Sequence, residues 1–541
     1  MRRLIAFMLI LTCNFFSAFA CGPYYPFGDA IRFTIFSPAN FSYKDFHIFN
    51  YSSQLFHPDD EDGQRSVTDV DDNILLWKEY CKNKVTESSI VDAIYSLHAS
   101  DIKNRRSNNL MIKYLYNTKD TIAINYIFFA KQCENFNKIY DDPWERNEKL
   151  TLSGRITLKN QALQNASNIK DESIKLRYAF LAIRLAYYNR DSLSLENVYQ
   201  KFFSNRKRKN IIDYWSMYFW VIIKPNSAQR NFYLAQVFAN TPDKRFMISA
   251  TYDKSISINN IIHFAKKDDE IAAVWLLAGI KNYARALTEI KNIYAYQPNS
   301  KALSFLLLRE MNKLEDWIYT PYYGYFFPSL ESSNTNEDAN YSLECSKKIY
   351  SDKEYAKQLF GFLESIDINK TENPLLFNTA KAYMHFMTED YAASIKEINL
   401  LQKKIENKNK IYIQLQIIKA LCISANEPRG NAKIADEIKP VLMQQCEKKN
   451  YRLIFAVARE LEYKGNTTEA ALLFSKINHD VDDEYVYEGK ADHKVYWRTK
   501  KNYHTLWLDY YDDYFFLPRC SVQQQSNGST HWFNIEKQNK R

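Results

Sequence analysis

The chain has 541 residues, and its 46% hydrophobic and 15% aromatic content supplies ample core material, which excludes global disorder. With only 11 glycines and 14 prolines it lacks the turn residues of a large β fold, so composition predicts helices joined by short polar turns. The formal charge of +9 is mild, and its compact basic run is confined to Arg206-Lys207-Arg208-Lys209, so no nucleic-acid partner is expected.

Residues 1–20, MRRLIAFMLILTCNFFSAFA, combine a basic start, an apolar run and small residues at Ala18 and Ala20, the pattern of an export signal peptide. The run is too short and too N-terminal to be preferred as a membrane span. Two readings of Cys21 stand: ordinary cleavage after Ala20, or lipid attachment to Cys21 as in a bacterial lipoprotein, which would hold the chain to a membrane. Either reading predicts an exported protein of the periplasm or outer membrane.

Residues 21–72 show no helical period. In FSPANFSYKDFHIFNYSSQLF, residues 36–56, aromatics spaced among polar residues read as a strap packed on a larger body or as a platform for sugars or peptides. HPDDEDGQRSVTDVDDN, residues 57–73, resembles a calcium loop but has Pro58 where the first carboxylate ligand belongs. An acidic loop ending in a helix cap at Asp72 or Asn73 is expected instead.

From 73 to 320 apolar residues recur every three or four positions, predicting a first helical-repeat block. Its clearest pair lies in 173–203, where Ala179, Ala182, Ile183 and Ala186 precede Leu195 and Tyr199. Prolines, a glycine and a Ser/Asn/Asp-rich run mark 321–342 as a linker or insertion. Tyr322, Tyr323, Tyr325, Phe326 and Phe327 at its start either plug the end of the block or face a binding groove.

A second helical-repeat block is expected over 343–478. After Asn373-Pro374, Ala380 and Tyr383 fit a first helix and Ser394 and Ile398 a second, with a turn about two residues longer than the motif's, while Pro440 should kink or break a helix over 432–449. The strongest pattern is 451–478, YRLIFAVARELEYKGNTTEAALLFSKIN. Ile454, Val457, Ala458 and Leu461 share one helix face, Gly465 and Asn466 turn the chain, and Ala470, Phe474 and Ile477 line the return helix. Ala458 and Ala470 are small where two backbones approach, and the register assigns Glu462 and Lys464 to a solvent-facing end. Residues 479–541 are expected to be irregular and polar.

A nucleophile elbow, a dinucleotide fingerprint and a phosphate loop each need glycines that this chain does not place, and HExxH and CxxC are absent from it. His479, His493, His504 and His531 lie near Asp480, Asp482, Asp483 and Glu484 at no recognisable ligand spacing, and Asp509, Asp512 and Asp513 would need a cleft with an opposing carboxylate. No catalytic residue, cofactor or metal is therefore predicted.

The spacing of Ala458, Leu461, Gly465, Ala470 and Phe474 resembles a tetratricopeptide repeat. With the export signal, the following ACGPYYPFGDAIRF and the internal LREMNKLEDWIYTP, the chain resembles exported tetratricopeptide-like proteins of Bacteroidetes-type bacteria. That resemblance implies an all-α solenoid of helix-turn-helix repeats with an irregular N-terminal strap and a polar C-terminal tail, and it brings no activity with it. The expected function is a non-enzymatic scaffold binding an envelope protein or peptide. The alternative is a surface glycan- or nutrient-binding lipoprotein similar to starch-utilisation outer-membrane binding proteins.

Overall fold

A computed structural model describes residues 32–41, 43–51, 72–136, 148–324, 328–329, 341–448 and 450–477. The leader, Cys21, the calcium-like stretch up to 71, the aromatics at 325–327 and the histidine- and aspartate-bearing region from 479 onward lie outside them. Every regular element among the described residues is helical, with no strand.

Asx and serine side chains start many of these helices. Asn109, Asp171, Asn210, Ser227, Asn373 and Asn409 each accept a backbone N–H from the first turn that no helical carbonyl could reach. Asp72 opens its helix directly, and Asn73 is not a cap but a buried residue hydrogen-bonded to Tyr95 and Arg177.

One joint recurs four times, at 118–120, 189–191, 388–390 and 464–466. Its middle residue is left-handed: Lys119, Arg190, Glu389 and Gly465 have φ of 56°, 56°, 67° and 90°. The residue that follows, Asp120, Asp191, Asp390 or Asn466, donates its N–H back to Leu115, Ala186, His385 or Leu461, closing the first helix. Its side chain then caps the next helix by accepting from Ala123, Ser194, Ala393 or Glu469.

In this frame Ile112, Ile183, Ala382 and Ala458 are equivalent, as are Ile124, Leu195, Ser394 and Ala470, and all are buried. The frame corrects the 374–402 pair. Ala382 rather than Ala380 meets the second helix, where its carbonyl accepts Ser394 Oγ at 2.7 Å, and the turn is no longer than that at 464–466.

The chain forms two compact units. In one, Lys44–Ile48 with Pro58–Leu306, Glu148–Asn168 packs on Glu172–Tyr188, which also meets Ser192–Phe202 and Ile211–Ile222. Ile211–Ile222 packs on Ala228–Asn240, that helix on Asp268–Lys281, and that on Leu287–Tyr296. Phe46 lies between the ring of Phe305, 4.7 Å away, and the Arg245 guanidinium, 3.7 Å from its centroid. A Cβ at Gly279 would lie 2.6 Å from the end of the Leu306 side chain, which would have to move to admit it.

The other unit comprises Met1–Tyr43, Phe49–His57 and Leu307–Arg541. In it Tyr341–Ser365, Pro374–Met387, Tyr391–Gln402, Lys410–Asn426, Tyr451–Tyr463 and Thr467–Ile477 each pack on the next. The division between units falls inside a single long helix, Lys301–Gly324, rather than in the 321–342 segment.

That helix continues through Pro321, four residues into the expected linker. An internal proline costs about 3 kcal/mol, and here Tyr319 and Tyr323, both buried and stacked at 5.6 Å, hold the last turn in place. Pro440 breaks the helix expected over 432–449. It lies in the first turn of Lys439–Glu447, where its missing N–H is not needed, so it starts that helix rather than kinking a longer one.

Candidate functional site: a buried polar face that holds an extended strand of chain

Between Arg309 and Thr320 the long helix carries Arg309, Glu310, Asn312, Lys313, Glu315, Asp316 and Thr320, none more than 4% exposed. Such groups survive burial only when their hydrogen bonds are met. Lys313 Nζ pairs with Glu310 Oε2 at 2.8 Å, and Glu310 Oε1 accepts the Tyr355 hydroxyl at 2.6 Å. Asn312, Glu315 and Thr320 turn toward the segment 32–37, which is not helical.

The Phe33 N–H donates to Thr320 Oγ1 at 2.8 Å, and those of Ile35 and Phe36 both donate to Glu315 Oε1, at 2.9 and 2.8 Å. Asn312 Nδ2 donates to the Phe36 carbonyl at 2.7 Å. From the helix Lys410–Asn426, Gln414 accepts the Ser37 N–H at 3.0 Å and donates to the Ile35 carbonyl at 2.7 Å. Arg452, on Tyr451–Tyr463, donates to the Arg32 carbonyl at 3.1 Å. Side chains on three helices thus satisfy a backbone that has no sheet or helix partner of its own.

Aromatic pockets fix the register. Phe33, fully buried, sits 5.7 Å from Tyr319 and 5.1 Å from Tyr323, and Phe36, also fully buried, stacks on Tyr383 at 5.7 Å and on Phe41 at 5.4 Å. Further on, the Tyr51 hydroxyl reaches Asp316 at 2.8 Å, and the Arg32 side chain donates to the Tyr51 carbonyl and, at 3.1 Å, to Ser329. Phe36, Phe41, Phe46, Phe49 and Tyr51 are all buried, so these rings serve packing and offer no open platform for a sugar.

Burial raises the Glu315 carboxyl above its ordinary range, against the pull of donors from Ile35, Phe36, Asn312 and Tyr383. It raises Asp316 likewise, opposed by Arg32. Tyr51 and Tyr383 are pushed far up by burial and so remain hydrogen-bond donors. Glu315 accepts from so many donors that it is saturated, which suits anchoring rather than proton transfer.

Elsewhere, a cleft of about 350 Å³ is lined by Tyr80, Glu172, Arg177, Arg206 and Asn210. In it Arg206 bonds Glu172 at 2.9 Å and also the neighbouring Asp213 at 2.6 Å, while Arg177 donates to Asn73. Cys422 is buried, and burial pushes its thiol up to about 12, so it is not a ready nucleophile. Among the described residues no three His, Cys, Asp or Glu side chains converge on a metal position.

Of the residues singled out from sequence, Ala458, Leu461 and Ala470 are fully buried, Phe474 is 1% exposed, and Gly465 takes the left-handed turn. Phe455 meets Phe474 edge-on at 5.6 Å. Glu462 and Lys464 overturn the expectation of a solvent-facing end. Glu462 is 5% exposed and pairs with the buried Arg459, while Lys464 Nζ donates to the carbonyls of Ala425 and Glu427 at 2.7 and 2.8 Å, at the C-terminal end of the helix Lys410–Asn426. The reason is that Tyr451–Tyr463 is packed by Lys410–Asn426 as well as by Thr467–Ile477, which buries Leu461 and Glu462 at its end and half-buries Lys464.

Of the side chains that hold the strap, the sequence reading singled out none. The available signal was a helix polar on too many faces to lie on a surface and too apolar to stand free. No protein-family model matches the chain, and neither a curated protein nor a solved structure matches it.

Proposed function

We propose that this chain is an exported, tetratricopeptide-like helical-repeat scaffold that binds a protein or peptide in the bacterial cell envelope. The observation that carries the reading is the joint repeated at 118–120, 189–191, 388–390 and 464–466, with a small or apolar buried contact at the same offset each time. A unit built on such joints buries its apolar face only against neighbours, and stacks of such units form surfaces suited to peptides and partner domains. The envelope location rests on the leader-like residues 1–20, with Cys21 as a candidate lipid attachment point. No catalytic role is proposed.

The test is in-cell crosslinking and affinity capture of the full chain, run beside a glycan array, with the mass of the mature N-terminus read from the same preparation. A reproducible protein partner with a silent array supports the scaffold. Glycan binding with no protein partner replaces it with the nutrient-binding reading, and a species that retains Met1 removes export.

A further inference from the structure

The strap is held in the manner of a bound peptide. Segments that belong to a fold by secondary structure satisfy their backbone through the main chain of a neighbour or their own helix. Here Phe33, Ile35, Phe36 and Ser37 give their N–H groups to side chains, and Arg32, Ile35 and Phe36 take side-chain donors on their carbonyls. Main-chain bonding supplies affinity whatever the sequence, and pockets for particular side chains supply choice. Both components are present, since Phe33 and Phe36 fill aromatic pockets while Thr34 lies outside the buried set.

The holding groups are themselves braced. Asn312 bonds Glu315 at 3.0 Å, and Tyr383 donates to the same carboxylate at 3.0 Å, so the acceptor geometry is set by helices and not by the strap alone. Preorganised readers of this kind lower the ordering cost of binding an extended chain.

We infer that Asn312, Glu315, Thr320, Gln414 and Arg452 form a recognition site for an extended peptide, occupied in cis by residues 32–37 as a resident ligand. The occupant in trans is a partner segment of the same chemistry: extended, with aromatic side chains at the positions of Phe33 and Phe36 and an aliphatic one at that of Ile35. This rests on the scaffold reading and names the class of peptide such a scaffold takes. Because the resident segment is tethered, its effective concentration is in the millimolar range, and a free peptide competes only when the tether is cut or the strap is weakened.

The experiment uses the full chain with a specific protease site inserted between Gly63 and Gln64, purified folded and then cut. The probe is a fluorescent peptide of residues 30–43, followed by anisotropy with circular dichroism as the control for folding. Uptake by the cut chain, at least about tenfold weaker in the uncut chain and again about tenfold weaker with Gln414→Ala in the cut chain, supports the site. A scrambled peptide should not bind.

Three outcomes overturn it: a cut chain that stays helical yet ignores the peptide, equal uptake of the scrambled peptide, or loss of helix on cutting, which would make the strap an inseparable part of the fold. Concentration-dependent dimerisation of the uncut chain, abolished by Phe33→Ala, would reassign the site to a second copy. A full chain that captures an envelope protein while its cut form stays helical and ignores the peptide defeats this inference and leaves the scaffold reading intact.

Discussion

Glu315 accepts the backbone N–H of Phe36 at 2.8 Å, joining positions that lie 279 residues apart in the chain. The same oxygen accepts Ile35 and Tyr383, so one carboxylate ties the strap to two helices. Glu315→Ala should leave two buried N–H groups unmet and cost about 3 kcal/mol or more. Glu315→Gln should cost less, about 1–3 kcal/mol, because one acceptor oxygen survives while an amide now faces Asn312 and Thr34. Urea melts of the two variants check the order, and equal midpoints for parent and Glu315→Ala would contradict the anchoring role.

Glu315, Asp316 and Glu460 are all held above the ordinary carboxyl range, by burial first. The folded chain therefore keeps protons that the unfolded chain has released, and stability falls as pH rises from the unfolded range near about 4 through the raised folded values. Asp191 runs the other way. Hydrogen bonds from Lys159 and Ser194 overcome its burial and hold it at about 2, so its contribution is present above the unfolded range and lost only on strong acidification. Denaturant midpoints should therefore fall as pH is raised above the unfolded carboxyl range near about 4. A midpoint that rises toward alkaline pH would contradict the directions given for these acids.

The four joints make matched predictions. Asp390→Ala and Asp120→Ala each remove a side-chain cap and should cost about 0.5–2 kcal/mol. Gly465→Ala forces a side chain into φ of 90° and should cost about 1 kcal/mol or more. Lys119→Gly relieves the same conformation and should be near neutral, within about 1 kcal/mol. Thermal melts of the set test the shared geometry, which fails if Gly465→Ala is harmless while Lys119→Gly is not.

At the last joint, Ala470→Phe should cost about 1–3 kcal/mol, since position 470 is fully buried against its partner helix. Lys464→Ala should not behave as an open surface change. It frees the Ala425 and Glu427 carbonyls from a charged donor and should cost about 1–2 kcal/mol. Denaturant melts of both variants decide, and a Lys464→Ala chain as stable as the parent would return this end of the helix to solvent.

Helical character was legible because period and composition agree, and the 451–478 register was legible because Gly465 and Asn466 mark the turn and the small Ala458 and Ala470 stand on either side of it. The joint at 388–390 was harder to read, since Glu389 stands where a glycine would have announced the left-handed residue. Pro321 misled for the opposite reason: local propensity pointed to a break, and the burial of Tyr319 and Tyr323 outweighed it. The strap's anchor was hidden because a buried carboxylate is specified by partners hundreds of positions away. Nothing in LREMNKLEDWIYTP alone distinguishes Glu315, which binds a backbone, from Glu310, which binds a lysine.

Backbone amide exchange at Ile35 and Phe36, measured by mass spectrometry in the full chain and in Gln414→Ala and Glu315→Gln, tests most directly the claim that a helical scaffold reads an extended segment through its side chains. The account predicts slow exchange at both amides in the parent, and faster exchange in the variants confined to the strap while the helix Pro374–Met387 stays protected. Free exchange at Ile35 and Phe36 in the parent, beside protected helices, would contradict it.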